Sequence, residues 1–96
     1  MKVPKGYIIV EPRRKNKKYS VLKWDNIKND YKYLLSFGEL QNKDGDFYQH
    51  YKDSTPLKLY SDLDHKDPER RKRYYLRHST TDNIDSAKWF SNNFLW

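Results

Sequence analysis

Apolar and polar positions alternate through the first half of this chain and fall at helical spacing in the second. "GYIIVEP" places a run of β-formers between Gly6 and Pro12, which predicts a short strand. "RRKNK" follows as a polar turn. "KYSVLKW" then sets Tyr19, Val21 and Lys23 against Ser20, Leu22 and Trp24, the period of a second strand. "DNIKND" is turn chemistry. "YKYLLSFGEL" predicts a third strand with Tyr31, Tyr33, Leu35 and Phe37 on one face. Asp44-Gly45 favours a tight hairpin turn, and "FYQHY" reads as a short fourth strand pairing back. "KDSTPLKLYSDLDHK" has no clean period and predicts an ordered surface connection.

Beyond it the period changes. Asp67-Pro68-Glu69 is a helix start: a capping carboxylate, a proline at the first helical position and an acid in the first turn. That helix should run to about His78, whose charge and that of Arg77 suit the negative end of the helix dipole. Asp85 or Ser86 can cap a last helix through "AKWFSNNFLW", with Phe90 and Phe94 on one face beside Ala87. The prediction is an α+β domain spanning 1–96. A small antiparallel meander of three to four strands occupies mainly 1–53, and two short helices occupy 66–96.

Composition changes this picture in one respect. Apolar residues make up only 35% of the 96, but aromatics make up 17%. A chain this short buries about 60–65% of its unfolded surface, so its core is thin and the rings must carry it. With no cysteine there is no disulfide or thiolate zinc site. No run approaches the ~18 apolar residues of a membrane span, and "MKVPKGYIIVEP" has no signal-peptide core of adequate length. The expectation is an intracellular chain with no cofactor and no metal.

The net charge is +7, and two clusters supply nearly all of it. Residues 12–24 hold Arg13, Arg14, Lys15, Lys17, Lys18 and Lys23 with no acid. Residues 66–78 hold Lys66, Arg70, Arg71, Lys72, Arg73 and Arg77 against Asp67 and Glu69. Such a balance favours polyanionic partners. The second cluster supports three readings. Its cations could neutralise backbone phosphates. They could instead be a solvated face, ion-paired with Asp64, Asp67 or Glu69. His50, His65 and His78, with Asp53, Asp62, Asp64 and Asp67, could form a metal site for phosphodiester cleavage. The third has the least behind it, because no metal-binding spacing such as H-E-x-x-H is present.

"SFG" at 36–38, "YQHYKD" at 48–53, "HKDPERRKRYYLRH" at 65–78 and "WFSNNFLW" at 89–96 together resemble a family of small uncharacterised proteins of nucleocytoplasmic large DNA viruses. The matching positions are Phe37, Gly38, Tyr51, Asp53, His65, Asp67, Arg70, Arg71, Tyr74, Arg77, His78, Leu95 and Trp96, within residues 31–96. The stretch from "YKDST" to "HKDP" is longer than in compact members, and Ser86-Ala87 stands where a glycine-containing turn is common. The resemblance implies a viral protein, carried in virions or acting in the host cytoplasm or nucleus, and no catalysis. It also implies a structural polar network of Asp53, His65, Asp67, Arg70, Arg71, Tyr74, Arg77 and His78, with Asp53 meeting Arg70 or Arg77.

That leaves Arg13, Arg14, Lys17, Lys18, Lys72 and Arg73 as the phosphate-contacting set. The leading expectation is a non-enzymatic protein that binds nucleic acid without sequence choice. The alternative is a virion structural or interaction module whose basic face meets an acidic viral or host protein.

Overall fold

The computed structural model describes residues 2–96. Three antiparallel strands lie in sequence order: β1 (Tyr7–Val10), β2 (Lys17–Asp25) and β3 (Asp30–Glu39). A single 3₁₀ turn at Ser61–Leu63 precedes α1 (Pro68–Arg77), and α2 (Ala87–Phe94) follows. The architecture is α+β, a meander followed by two helices. No helix among the described residues is long and apolar enough to cross a membrane.

Both helix starts form as their sequences dictate. The Asp67 side chain accepts from the Glu69 N–H with Pro68 at the first position, and the Ser86 hydroxyl accepts from the Trp89 N–H. Asp85 is left free for other work: it accepts from the Tyr7 hydroxyl and from Lys23 Nζ at 2.9 Å. That pins the entry of α2 to the first two strands.

The core lies between one face of the sheet and α2. Tyr19, Val21 and Phe37 meet Phe90 and Phe94, all essentially without solvent exposure. Phe90 and Phe94 stack 5.9 Å apart, and Phe37 lies 5.5 Å from Phe90. Full burial of such side chains contributes about 1.5–3 kcal/mol each. Ala87, expected on that face, is exposed. Gly38 has a φ of +77°, and a Cβ there would come 2.7 Å from Leu95 Cδ1. Only glycine lets the end of the chain pack this closely on β3.

Two strand expectations are corrected. "FYQHY" is not a fourth strand; Phe47 makes one isolated bridge to Gln41 around the Gly45 turn. The chain then leaves the sheet, because the N–H groups of Tyr51 and Lys52 donate to the Leu95 carbonyl and that of Ser54 to Phe94. Nor do Tyr31, Tyr33, Leu35 and Phe37 share one face. Val21 pairs with Leu35, but its neighbour Leu22 pairs with Tyr33, so Leu34 is an extra residue in β3. This bulge reverses the alternation. Leu35 and Phe37 stay on the helix side; Tyr31 and Tyr33 move to the other.

Candidate nucleic-acid interface

The segment 65–78 is anchored by its own chemistry. His65 Nδ1 accepts from the Asp67 N–H at 2.9 Å, which fixes the approach to α1. Its other ring nitrogen is buried without a hydrogen-bond partner among the described residues, and burial lowers its pKa. Along α1, Arg70 donates to the Gln49 side chain at 3.1 Å. Arg71 donates to the Trp96 main-chain oxygen at 2.6 Å, and its guanidinium lies over Tyr51 and Tyr75, 5.3 Å from each ring centroid. The Tyr74 hydroxyl donates to the Asn92 side chain at 2.6 Å, and the Tyr75 hydroxyl to the Asn92 carbonyl at 2.9 Å. Burial pushes the Tyr74 phenol up to about 12. The His78 ring lies 4.6 Å from that of Tyr74. His65, Asp67, Arg70, Arg71, Tyr74 and His78 are therefore held by named contacts.

Two members of the expected network belong elsewhere. Asp53 does not meet Arg70 or Arg77. Its buried carboxylate accepts from the Tyr19 hydroxyl, from the Thr55 N–H and hydroxyl at 3.0 and 2.6 Å, and from the Tyr60 N–H at 3.4 Å. Local loop geometry satisfies it before any arginine can reach. Its own N–H donates to Asp64 at 2.7 Å. Arg77 is exposed, and no side-chain hydrogen bond or ion pair holds it among the described residues. It joins the free cations.

Lys18 is the correction on the other side. It was expected at a phosphate, but it is fully buried. Four consecutive residues of β2, from Lys18 to Val21, are covered. Burial pulls the Lys18 ammonium below the ordinary lysine value, against the opposing pull of Asp64 and Asp53. Burial also raises Asp64. An ammonium without surface cannot contact a polyanion.

The remaining cations face outward. Arg13 and Arg14 sit in the exposed β1–β2 loop, and Lys72, Arg73 and Arg77 on the outer side of α1. The only ion pairs among the described residues are Lys23–Asp85 and Lys32–Asp25. The ion-paired reading of α1 therefore lacks its carboxylates. Lys17, at the start of β2, lines a cleft of about 310 Å³ together with His78 and Lys88. His50, Tyr74 and Trp96 form its floor, and Lys88 is steadied by Ser79 at 3.0 Å. One residue from each basic segment, Lys17 and His78, thus lines this cleft, together with the carboxylate-bearing Glu39; Arg13, Arg14, Lys72, Arg73 and Arg77 lie outside it. Among the described residues, no three His, Asp or Glu side chains converge as metal ligands would.

Several residues here had no signal in the sequence. Asn92 lies between two core phenylalanines, and nothing in "SNNF" marks it as the acceptor for two tyrosines. Thr55 and Tyr60 meet Asp53 only because of how the connection folds. Tyr19 shares its strand face with Val21 by alternation, but which of the two faces turns inward came only from the structure.

The chain matches no known protein-family model, no curated protein and no solved structure.

Proposed function

We propose that this protein binds nucleic acid through phosphate contacts, without sequence choice and without catalysis. The observation that carries the proposal is that Arg13, Arg14, Lys72, Arg73 and Arg77 are all exposed and that none of them is ion-paired among the described residues. Arg13, Arg14, Lys17, Lys72 and Arg73 are the phosphate-contacting set, with Arg77 added from the network and Lys18 removed. Free cations of this kind exchange their counterions with those of the phosphates, so affinity should depend steeply on salt. The resemblance to proteins of large DNA viruses supplies the setting: the host cytoplasm or nucleus during infection, or the virion.

The test is binding to random duplex and to single-stranded DNA by fluorescence anisotropy. Affinity should fall by orders of magnitude between about 50 and 200 mM salt, linearly on logarithmic axes. No binding at about 50 mM overturns the proposal. Retention by polyaspartate but not by DNA would give the same cations to an acidic protein instead.

A further inference from the structure

α2 covers one face of the sheet; on the other, Lys18 and Ser20 are buried, and the end toward the β2–β3 turn is left open. Antiparallel pairing places Ile8, Leu22 and Tyr33 in one row of that open end, and Trp24 and Tyr31 in the next. The β3 bulge is what brings both tyrosines here. Trp24, Tyr31 and Tyr33 are 37%, 38% and 39% exposed, so each ring offers surface to solvent while the strands hold it rigid. Trp24 and Tyr31 brace each other edge to face at 5.1 Å. Beside them a cleft of about 410 Å³ is lined by Trp24, Ile27, Tyr33 and Leu34, with Lys23 and Lys32 at its edge.

The first basic loop is tied onto this same face. The Arg13 N–H donates to the Ser20 hydroxyl at 2.7 Å. That hydroxyl is 2.8 Å from the one on Ser36, which is 2.9 Å from the Tyr33 hydroxyl. The Arg14 guanidinium then lies over the Tyr33 ring, 4.2 Å from its centroid, with no carboxylate partner. The nearby acid Asp25 is already occupied by Lys32 at 2.7 Å and by the N–H groups of its own turn. The face therefore combines partly exposed rings with a guanidinium lying over one of them that has no carboxylate partner among the described residues.

We infer that this open end of the sheet face, through Trp24, Tyr31 and Tyr33, stacks the unpaired bases of a single-stranded nucleic acid while Arg14 holds its backbone. This rests on the nucleic-acid reading above and adds the class of ligand. Every base has a π-face, so rings on a rigid sheet accept any sequence, and a guanidinium plane extends the stack. In a duplex those faces are already covered by neighbouring bases. Cations alone would not distinguish the two forms; the rings do.

The experiment compares three probes on the intact protein at one salt concentration: a short oligothymidylate, an abasic strand of the same length, and a duplex. The oligothymidylate should bind at least about tenfold more tightly than the abasic strand, as stacking of a base on a ring implies. Equal binding overturns the stacking while leaving the phosphate reading intact, and binding to none of the three overturns both. The variant Trp24→Thr/Tyr33→Thr, which keeps β-branched residues in the strands, should lose about tenfold or more for oligothymidylate. Its duplex affinity and salt slope should hold. Self-association that this variant abolishes, with single-strand affinity unmoved, gives the face to a second copy of the chain and overturns the inference.

Discussion

The rings of Tyr74 and Trp96 lie parallel, 4.3 Å between centroids and 4° apart in plane. One belongs to α1, the other to the segment after α2. Their stack, with the Arg71 bond to the Trp96 main-chain oxygen, is what docks the arginine-rich helix on the rest of the molecule.

Trp96→Ala should therefore cost about 3–5 kcal/mol, the range for removing a buried aromatic ring. That is a large share of the 5–15 kcal/mol typical of a domain. Urea unfolding checks it, and Trp96→Phe, which keeps a ring against Tyr74, should cost less. A loss below about 1 kcal/mol for the alanine variant would mean that the stack does not hold α1.

Asp53 is a hub of acceptors for four donors, three of them from its own loop. Asp53→Ala leaves the Tyr19 and Thr55 hydroxyls and two N–H groups unsatisfied, each costing about 1–3 kcal/mol if it stays dry. Tyr19→Phe removes one donor to Asp53 and the acceptor of the Leu59 N–H, and should cost about 1–3 kcal/mol. The double variant should be markedly less destabilised than the sum of the two, because the penalties share one bond. Additive losses would deny that coupling.

His50 is buried and its pKa is lowered from 6.5 to about 3, chiefly by desolvation and further by Lys18 and His65. The unfolded chain thus binds a proton between pH 6.5 and 3 that the folded chain refuses. The stability from neutral His50 is fully present above about pH 6.5 and is lost as pH falls toward 3. The slope should approach about 1.4 kcal/mol per pH unit from this residue. His65, lowered in the same direction, adds to it. His50→Gln should flatten the urea-midpoint profile between pH 6 and 4; an unchanged profile would place the acid sensitivity elsewhere.

Lys18 and Lys72 should behave oppositely toward nucleic acid. Lys72→Gln with Arg73→Gln should weaken binding to all sequences alike and reduce the salt slope by about 2, one phosphate contact each. Lys18→Met should leave affinity and slope unchanged, since that ammonium is buried. An effect of Lys18→Met on the slope, in a protein of unaltered thermal midpoint, would contradict its placement.

Where local chemistry decides an element, the residues announced it. Asp67-Pro68 and Ser86 started helices, and the alternation of Tyr19 and Val21 put them on one strand face. Elements that depend on pairing were misread. The bulge at Leu34 leaves no trace in "YKYLLSF", since one extra residue is visible only against the partner strand. "FYQHY" has strand composition, but its last N–H, that of Tyr51, donates to the Leu95 carbonyl far along the chain, and those of Lys52 and Ser54 follow it to Leu95 and Phe94.

The candidate site divides the same way. Charge, its confinement to 12–24 and 66–78, and the helical start of the second cluster follow from residue order alone, because they rest on composition and short-range hydrogen bonding. Which cations reach solvent does not. Lys17 and Lys18 are adjacent and chemically identical, yet one lines a cleft and the other is buried. That difference comes from the strand's alternation and from the chain segments folded over it. Only the tertiary structure brought Lys17 beside His78, and only the pairing of β2 with β3 turned Tyr31 and Tyr33 out beside Trp24. Such contacts are made between positions tens of residues apart, and no local pattern encodes them.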